Sequence, residues 1–201
     1  MIASVLHLNL ADVKALKITD AYSLHRVVYD LFEDVRSSAE KQASVSSGIL
    51  YADKGGDFHV RKILMLSNRQ PNLPERGELS IKKIADSFLD YKHYRFEVVV
   101  NPTKRENQSR KIIALKKRED IAAWFIEKAP HWGFEVSADH LEVREVEVKC
   151  FEKSGQTITQ GQAHLFGRLT VTNKEIFKRS FQNGIGRGRA FGCGLLQIVP
   201  I

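Results

Sequence analysis

Tyr94 to Val100 reads YRFEVVV, the most strand-like run in the chain, built from aromatic and β-branched residues. It stops at Asn101-Pro102, because proline has no N–H to give a central strand. Working outward, a basic loop leads to a helical stretch, REDIAAWFIEKA, from about Arg118 to Ala129. Strands follow at Leu141 to Phe151 and Ala163 to Val171, with EKSGQTITQGQ between them reading as a long polar hairpin tip. Asn173 then caps a short helix, NKEIFKRSFQN, that ends at Gly184, and a glycine-rich turn enters a last strand, Leu195 to Val199. The order is β-α-β-β-α-β, the ferredoxin-like plan.

The first half reads as a less regular version of the same plan. Ile2 to Leu10 alternates as a strand, and a helix starts at Asp20. After a polar connection, Arg36 to Ser46, strands at Gly48 to Ala52 and Phe58 to Leu66 flank DKGG, whose turn chemistry predicts a hairpin. Pro71 and Pro74 punctuate a loop, and Glu78 to Ile84 is a candidate fourth strand. The expectation is an α+β protein of two domains, residues 1–90 and 91–201. No sequence repeat supports a duplication, so it rests on element order.

The helix at Asp20, DAYSLHRVVYDLFEDV, gathers Leu24, Val27, Val28, Leu31, Phe32 and Val35 on one side. Tyr22, His25, Arg26 and Tyr29 lie on the other at helical spacing, as surface neighbours. An imidazole, with an ordinary pKa of ~6.5, moves protons in both directions near neutrality. Phenols and a guanidinium beside it suit a substrate with bases and phosphates. An ordinary solvated helix face would also carry such residues, and the helix alone leaves both readings open.

The composition, 43% hydrophobic and 27% charged, is that of a globular protein, and the net charge of +7 favours polyanionic partners. No run approaches the ~20 apolar residues of a membrane helix, and MIASVLHLNL lacks the features of a signal peptide. Cys150 and Cys193 make no disulfide framework and no metal-ligand spacing. These features predict a cytoplasmic, reduced protein with no membrane contact. Between Lys104 and Arg118 stand Lys104, Arg105, Arg110, Lys111, Lys116, Lys117 and Arg118, with Glu106 the one acid. Such a block tracks phosphates, or is simply a solvated loop.

GIGRGRAFGCG, Gly184 to Gly194, fails the dinucleotide pattern in either register, since Arg189 and Phe191 occupy the third glycine position. It also leaves a helix and enters a strand, the reverse of a dinucleotide loop. A helix C-cap and tight turn would explain Gly184, while Arg187 and Arg189 are harder to explain that way, and a backbone without Cβ atoms can come close to a ligand. There is no HExxH, CxxC or P-loop, and His131 and His164 have no evident partners, so no metal or cofactor is expected.

Three motifs in this order resemble the CRISPR repeat-processing endoribonucleases of the RAMP superfamily, Cascade type (CasE/Cse3). They are Tyr22-Ser-Leu-His25-Arg26, Asn101-Pro102-Thr-Lys104-Arg105, and Gly184-Ile-Gly186 followed by Arg189-Ala-Phe-Gly192-Cys-Gly194-Leu195-Leu196. The resemblance implies two tandem ferredoxin-like (RRM-like) domains that bind the repeat hairpin of precursor CRISPR RNA. It implies one metal-independent cut at the hairpin base by 2′-hydroxyl attack, leaving a 2′,3′-cyclic phosphate. The mature guide RNA would be retained, with other Cascade subunits as partners. His25 matches the family's histidine and Tyr22 its tyrosine, giving the catalytic pair. Arg26, Lys104, Arg105, Arg110 and Lys111 are candidate RNA contacts, as are Arg187 and Arg189. Lys153 joins them because the family places a β-hairpin there. A non-catalytic RNA-binding subunit on the same scaffold is the alternative, and a basic structural protein with no nucleic-acid role is a third.

Overall fold

In the computed structural model the described residues are 1–43, 45–56, 60–106, 110–153 and 155–201. They form two compact units, Met1–Ala85 with Ala190–Gly192, and Asp86–Arg189 with Cys193–Ile201. The chain therefore leaves the C-terminal unit after Arg189, contributes three residues to the N-terminal one, and returns at Cys193.

The N-terminal unit runs β1 (Ile2–Asn9), α1 (Leu10–Ala15), α2 (Ala21–Asp30), α3 (Ser38–Gln42), β2 (Ile49–Gly56), β3 (Val60–Ser67) and β4 (Glu78–Lys83). Its strands make an antiparallel sheet in the order β2-β3-β1-β4. That is the ferredoxin-like order, with a loop over residues 68–77 where the second helix would stand. Alternation along β1 buries Ser4, Leu6 and Leu8. Leu24, Val28, Leu31 and Phe32 pack on this layer with Ile49, Tyr51, Ile63 and Met65.

Three local expectations change here. The Asp20 helix ends at Asp30, with Leu31 as its C-cap, so Val35 falls beyond it and is 64% exposed rather than in the core. The chain after it is held by Asp34, whose carboxylate binds Arg36 and Lys41. The polar connection contains the one-turn α3, formed by a Ser37–Glu40 capping box. Asp53–Gly56 extends β2 instead of turning, because Asp53 is held by Arg61 on β3 and a register shift absorbs the glycines. The turn and the first two residues expected for the next strand, 58 and 59, lie outside the described residues.

The C-terminal unit runs β5 (His93–Val100), β6 (Thr103–Arg105), β7 (Ile112–Ala114), α4 (Arg118–Lys128), β8 (Phe134–Glu135), β9 (Leu141–Lys153), β10 (Gln156–Val171), α5 (Lys174–Asn183) and β11 (Gln197–Pro200). The sheet order is β11-β5-β10, with β9 and the short β8 both paired to β10, so this is the complete ferredoxin-like topology. Tyr94 and Phe96 face the helices, where Phe96 stacks on Phe125 at 5.6 Å and Tyr94 meets Phe177 at 5.5 Å. The fold is α+β, two tandem ferredoxin-like domains, the first less regular than the second.

The polar hairpin tip is mostly strand. Thr157-Ile-Thr159 alternates against Glu152, Phe151 and Cys150, which suits β-branched residues, and Gly155 alone stays outside the strands among the described residues of that stretch. Gln160 and Gln162 are buried, and Gln160 Nε2 donates to Cys193 Sγ at 3.1 Å. Burial pushes the Cys193 thiol up to about 12, so this cysteine packs rather than reacts. The basic loop likewise folds on itself, with β6 and β7 paired as a ribbon.

Helix α2 begins with a reciprocal cap, Asp20 accepting from the Ser23 N–H and Ser23 Oγ accepting from the Asp20 N–H. The Ser23 N–H bond holds the Asp20 carboxyl below its ordinary value. A depressed folded-state value gives stability that is present above the unfolded value of about 4 and is lost as pH falls through the folded one. Asp20→Ala should therefore cost about 1 kcal/mol in urea unfolding at pH 7. The cost should shrink below pH ~4; a pH-independent cost would show that the carboxylate charge is not what caps the helix.

Candidate active site

Helix α2 buries Leu24 and Val28, and the same turns leave Tyr22, His25 and Tyr29 half-buried and Arg26 exposed. Tyr22 and His25 lie nearly parallel, 15° apart with centroids at 6.0 Å, and Tyr29 meets the imidazole at 4.1 Å. Arg26 Cζ stands 5.7 Å from the Tyr22 ring centre, a cation–π distance. The structure thus brings together the four side chains that the helical spacing put on one face. Tyr29 Oη is 3.1 Å from Ser47 Oγ, which ties it to the loop before β2.

Residues 190–192 complete the cluster. His25 Nδ1 is 2.8 Å from the Ala190 carbonyl oxygen, and Tyr51 Oη donates to the same oxygen at 3.2 Å. A carbonyl only accepts, so the His25 bond requires the proton on Nδ1. In the neutral ring Nε2 is then the basic nitrogen, and in the cation both nitrogens donate. Phe191 adds a third ring at 5.5 Å from the imidazole. A Cβ on Gly192 would sit 3.3 Å from the Tyr51 ring, so glycine lets the chain close over the tyrosine.

Sequence reasoning missed Tyr51 and the Ala190 carbonyl. They lie 26 and 165 positions from His25, and neither has a local pattern that marks it. The Gly-Arg-Ala-Phe-Gly segment was the available signal, but its contribution is a main-chain oxygen, which no residue type announces.

The other candidates belong to the C-terminal unit. Lys104 and Arg105 lie exposed on β6, and Arg110 and Lys111 flank the return to β7. Arg105 donates to the Arg110 carbonyl at 3.3 Å, and Arg110 adopts a left-handed backbone (φ 55°). Four basic residues thus share one ribbon; residues 107–109 between them are outside the described set. Lys153 is exposed at the end of β9. Arg187 is exposed and bridges its backbone to Asn101, the end of the strand that opens the basic ribbon. Arg189 is half-buried and donates to the Asn183 carbonyl at 2.8 Å, so part of its role is to cap α5. Among the described residues no three His, Cys, Asp or Glu side chains gather as a ligand set. No helix among them is long and apolar enough to cross a membrane.

The coordinates define an α+β protein of two tandem ferredoxin-like domains with a ring-enclosed histidine on the first long helix. Residues 1–200 match the CRISPR associated protein family, and the chain belongs to it. A relative from Thermus thermophilus, CRISPR-associated endoribonuclease Cse3, is 34% identical over 119 residues, 53% of this chain. The match covers 55% of that relative, so the chain spans about half the length of the curated protein it matches. Among solved structures, CRISPR endoribonuclease Cse3 bound to a 19 nt RNA superposes with a TM-score of 0.82 at 21% identity over the whole of both chains. A chain of a CRISPR RNA-guided surveillance complex does so with a TM-score of 0.70 at 18% identity, again over both whole chains. At these identities the likeness is one of fold.

The Ala190 contact fixes a measurable state. The 15N shifts of neutral His25 should be those of the Nδ1–H form, and Tyr51→Phe should widen the tautomer mixture by loosening the carbonyl. An Nε2–H spectrum in the wild-type protein would contradict the bond.

Proposed function

We propose that this protein is a metal-independent endoribonuclease that binds the repeat hairpin of precursor CRISPR RNA and cuts it once at its base. The observation that carries the reading is His25, held at Nδ1 by the Ala190 carbonyl among three aromatic rings. The family membership and the Cse3 relative supply the substrate class.

In this reaction the 2′-oxygen forms a bond to the adjacent phosphorus, and the bond from phosphorus to the 5′-oxygen breaks. The proton of the 2′-hydroxyl leaves to a base, and the departing 5′-oxygen takes up a proton. The products are a 2′,3′-cyclic phosphate and a 5′-hydroxyl. Neutral His25 accepts at Nε2, and its cation donates there. The Ala190 carbonyl accepts from Nδ1–H in both forms, so the ring is oriented for either transfer. Tyr22, one turn before it, orients the ribose or shares the proton transfer. Arg26 offers positive charge to the pentavalent phosphate, which carries more negative charge than the ground state. Lys104, Arg105, Arg110 and Lys111 on the ribbon follow the hairpin backbone, with Lys153, Arg187 and Arg189 as further RNA contacts.

The product remains bound as the mature guide RNA, and the protein works in the cytoplasm among other subunits of a Cascade assembly. The surveillance-complex chain of the same fold supports that partnership.

His25→Ala should lower the single-turnover cleavage rate on the order of 10²–10⁴-fold or more while hairpin affinity stays near wild type, and excess EDTA should leave the wild-type rate unchanged. Joint loss of binding and cleavage would make His25 structural. Tight binding by the wild-type protein without any cut would make it a non-catalytic RNA-binding subunit.

A further inference from the structure

The face of the C-terminal sheet that turns away from α4 and α5 carries groups that neither the core nor the cleavage chemistry uses. Tyr94 and Phe96 point to the helices, so Arg95 between them points to the other side. There it stands directly opposite Arg168 of β10. Both are exposed, and among the described residues neither makes an ion pair or a side-chain hydrogen bond. Like charges facing each other across a strand pair weaken a sheet. An anion seated between them would offset that repulsion.

Beside this pair lies a flat platform. Arg144 Cζ is 4.0 Å from the centre of the Phe166 ring, and its Nε binds Glu142 at 3.0 Å, which holds the guanidinium in place. A register shift in the β9–β10 ladder sets the geometry. Val143 pairs with Leu165 and Glu145 with His164, so Arg144 is the extra residue that swings over the ring. The arginines, Phe166, Asp139, His140 and Glu142 line a depression of about 500 Å³. That volume lies within the range of small-ligand sites.

We propose that this face is a second RNA site, binding one or two unpaired nucleotides of single-stranded RNA. The Arg144–Phe166 plate takes a base by stacking, which tolerates any sequence. Arg95 and Arg168 grip the adjoining phosphodiester from two sides. Asp139 on the rim accepts from a 2′-hydroxyl or an exocyclic amine, and its negative charge repels the carboxylates of an acidic peptide. Phe166 and Arg95 lie on the two central strands, from which a four-stranded sheet of this topology presents side chains to RNA. The inference rests on the reading that the chain works on RNA, and the unpaired RNA flanking the hairpin is the natural occupant.

Fluorescein-labelled hexauridylate, titrated with the full-length protein and followed by anisotropy, tests this. The wild type should bind it. Arg95→Ala/Arg168→Ala and Phe166→Ala should each bind at least tenfold more weakly. The double variant should also lower the salt slope by about 0.7, the value for one phosphate contact on a single strand. Both should still cut the hairpin at the wild-type rate. Arg95→Ala should melt no lower than wild type, since one of two facing charges is gone. No hexamer binding by the wild type, or unchanged binding by the double variant, would overturn the proposal. So would equal competition by hexaglutamate, because charge alone would then account for the site. If hexamer binding depends on these residues but no hairpin is cut, the site stands and the nuclease reading falls.

Discussion

One main-chain oxygen organises the histidine cluster of the first domain. The Ala190 carbonyl accepts from both His25 Nδ1 and Tyr51 Oη, so it fixes which imidazole nitrogen keeps its proton in the neutral ring. The oxygen itself is placed by its flanks. A Cβ on Gly188 would come within 2.3 Å of Gln160 Nε2, and one on Gly194 within 2.3 Å of the Ile185 carbonyl. Both glycines have left-handed backbones, at φ 76° and 82°, which other residues adopt only under strain. The glycine-rich turn is therefore a delivery device for a carbonyl, anchored on either side of the three residues it contributes.

Much of this was legible from local pattern. Helical spacing alone placed Tyr22, His25, Arg26 and Tyr29 on one face, because neighbours on a helix follow from its pitch. The ferredoxin-like order of the second half was readable because each strand and helix there has its own period and cap. Legibility failed where a distant residue overrode local chemistry. DKGG has turn composition, yet Arg61 holds Asp53 in a strand. Gln160 and Gln162 look like a solvated tip, yet Cys193 and the neighbouring strand bury them. The site suffered the same way, since Tyr51 reaches the Ala190 oxygen across 139 positions of sequence.

The two domains carry one topology to different ends. In the second, both helices are present and five aromatic side chains, Phe96, Phe125, Trp132, Phe134 and Phe177, form a connected ring cluster beneath the sheet. That interior leaves the opposite sheet face and the basic ribbon to carry charge. In the first, a loop replaces the second helix, and Tyr22 and Tyr29 on the outer side of α2 join Phe191 around the His25 ring. A core tolerates no unpaired charge, whereas a half-buried ring cluster leaves an imidazole within reach of solvent.

The most direct test of this account is cleavage, in EDTA, of an end-labelled repeat hairpin against the same RNA carrying a single 2′-deoxynucleotide at the scissile position. The account predicts one cut in the normal RNA, ending in a 2′,3′-cyclic phosphate, and none in the deoxy substrate. Equal cutting of both would show that the nucleophile is not the 2′-hydroxyl, and would contradict the role given to His25.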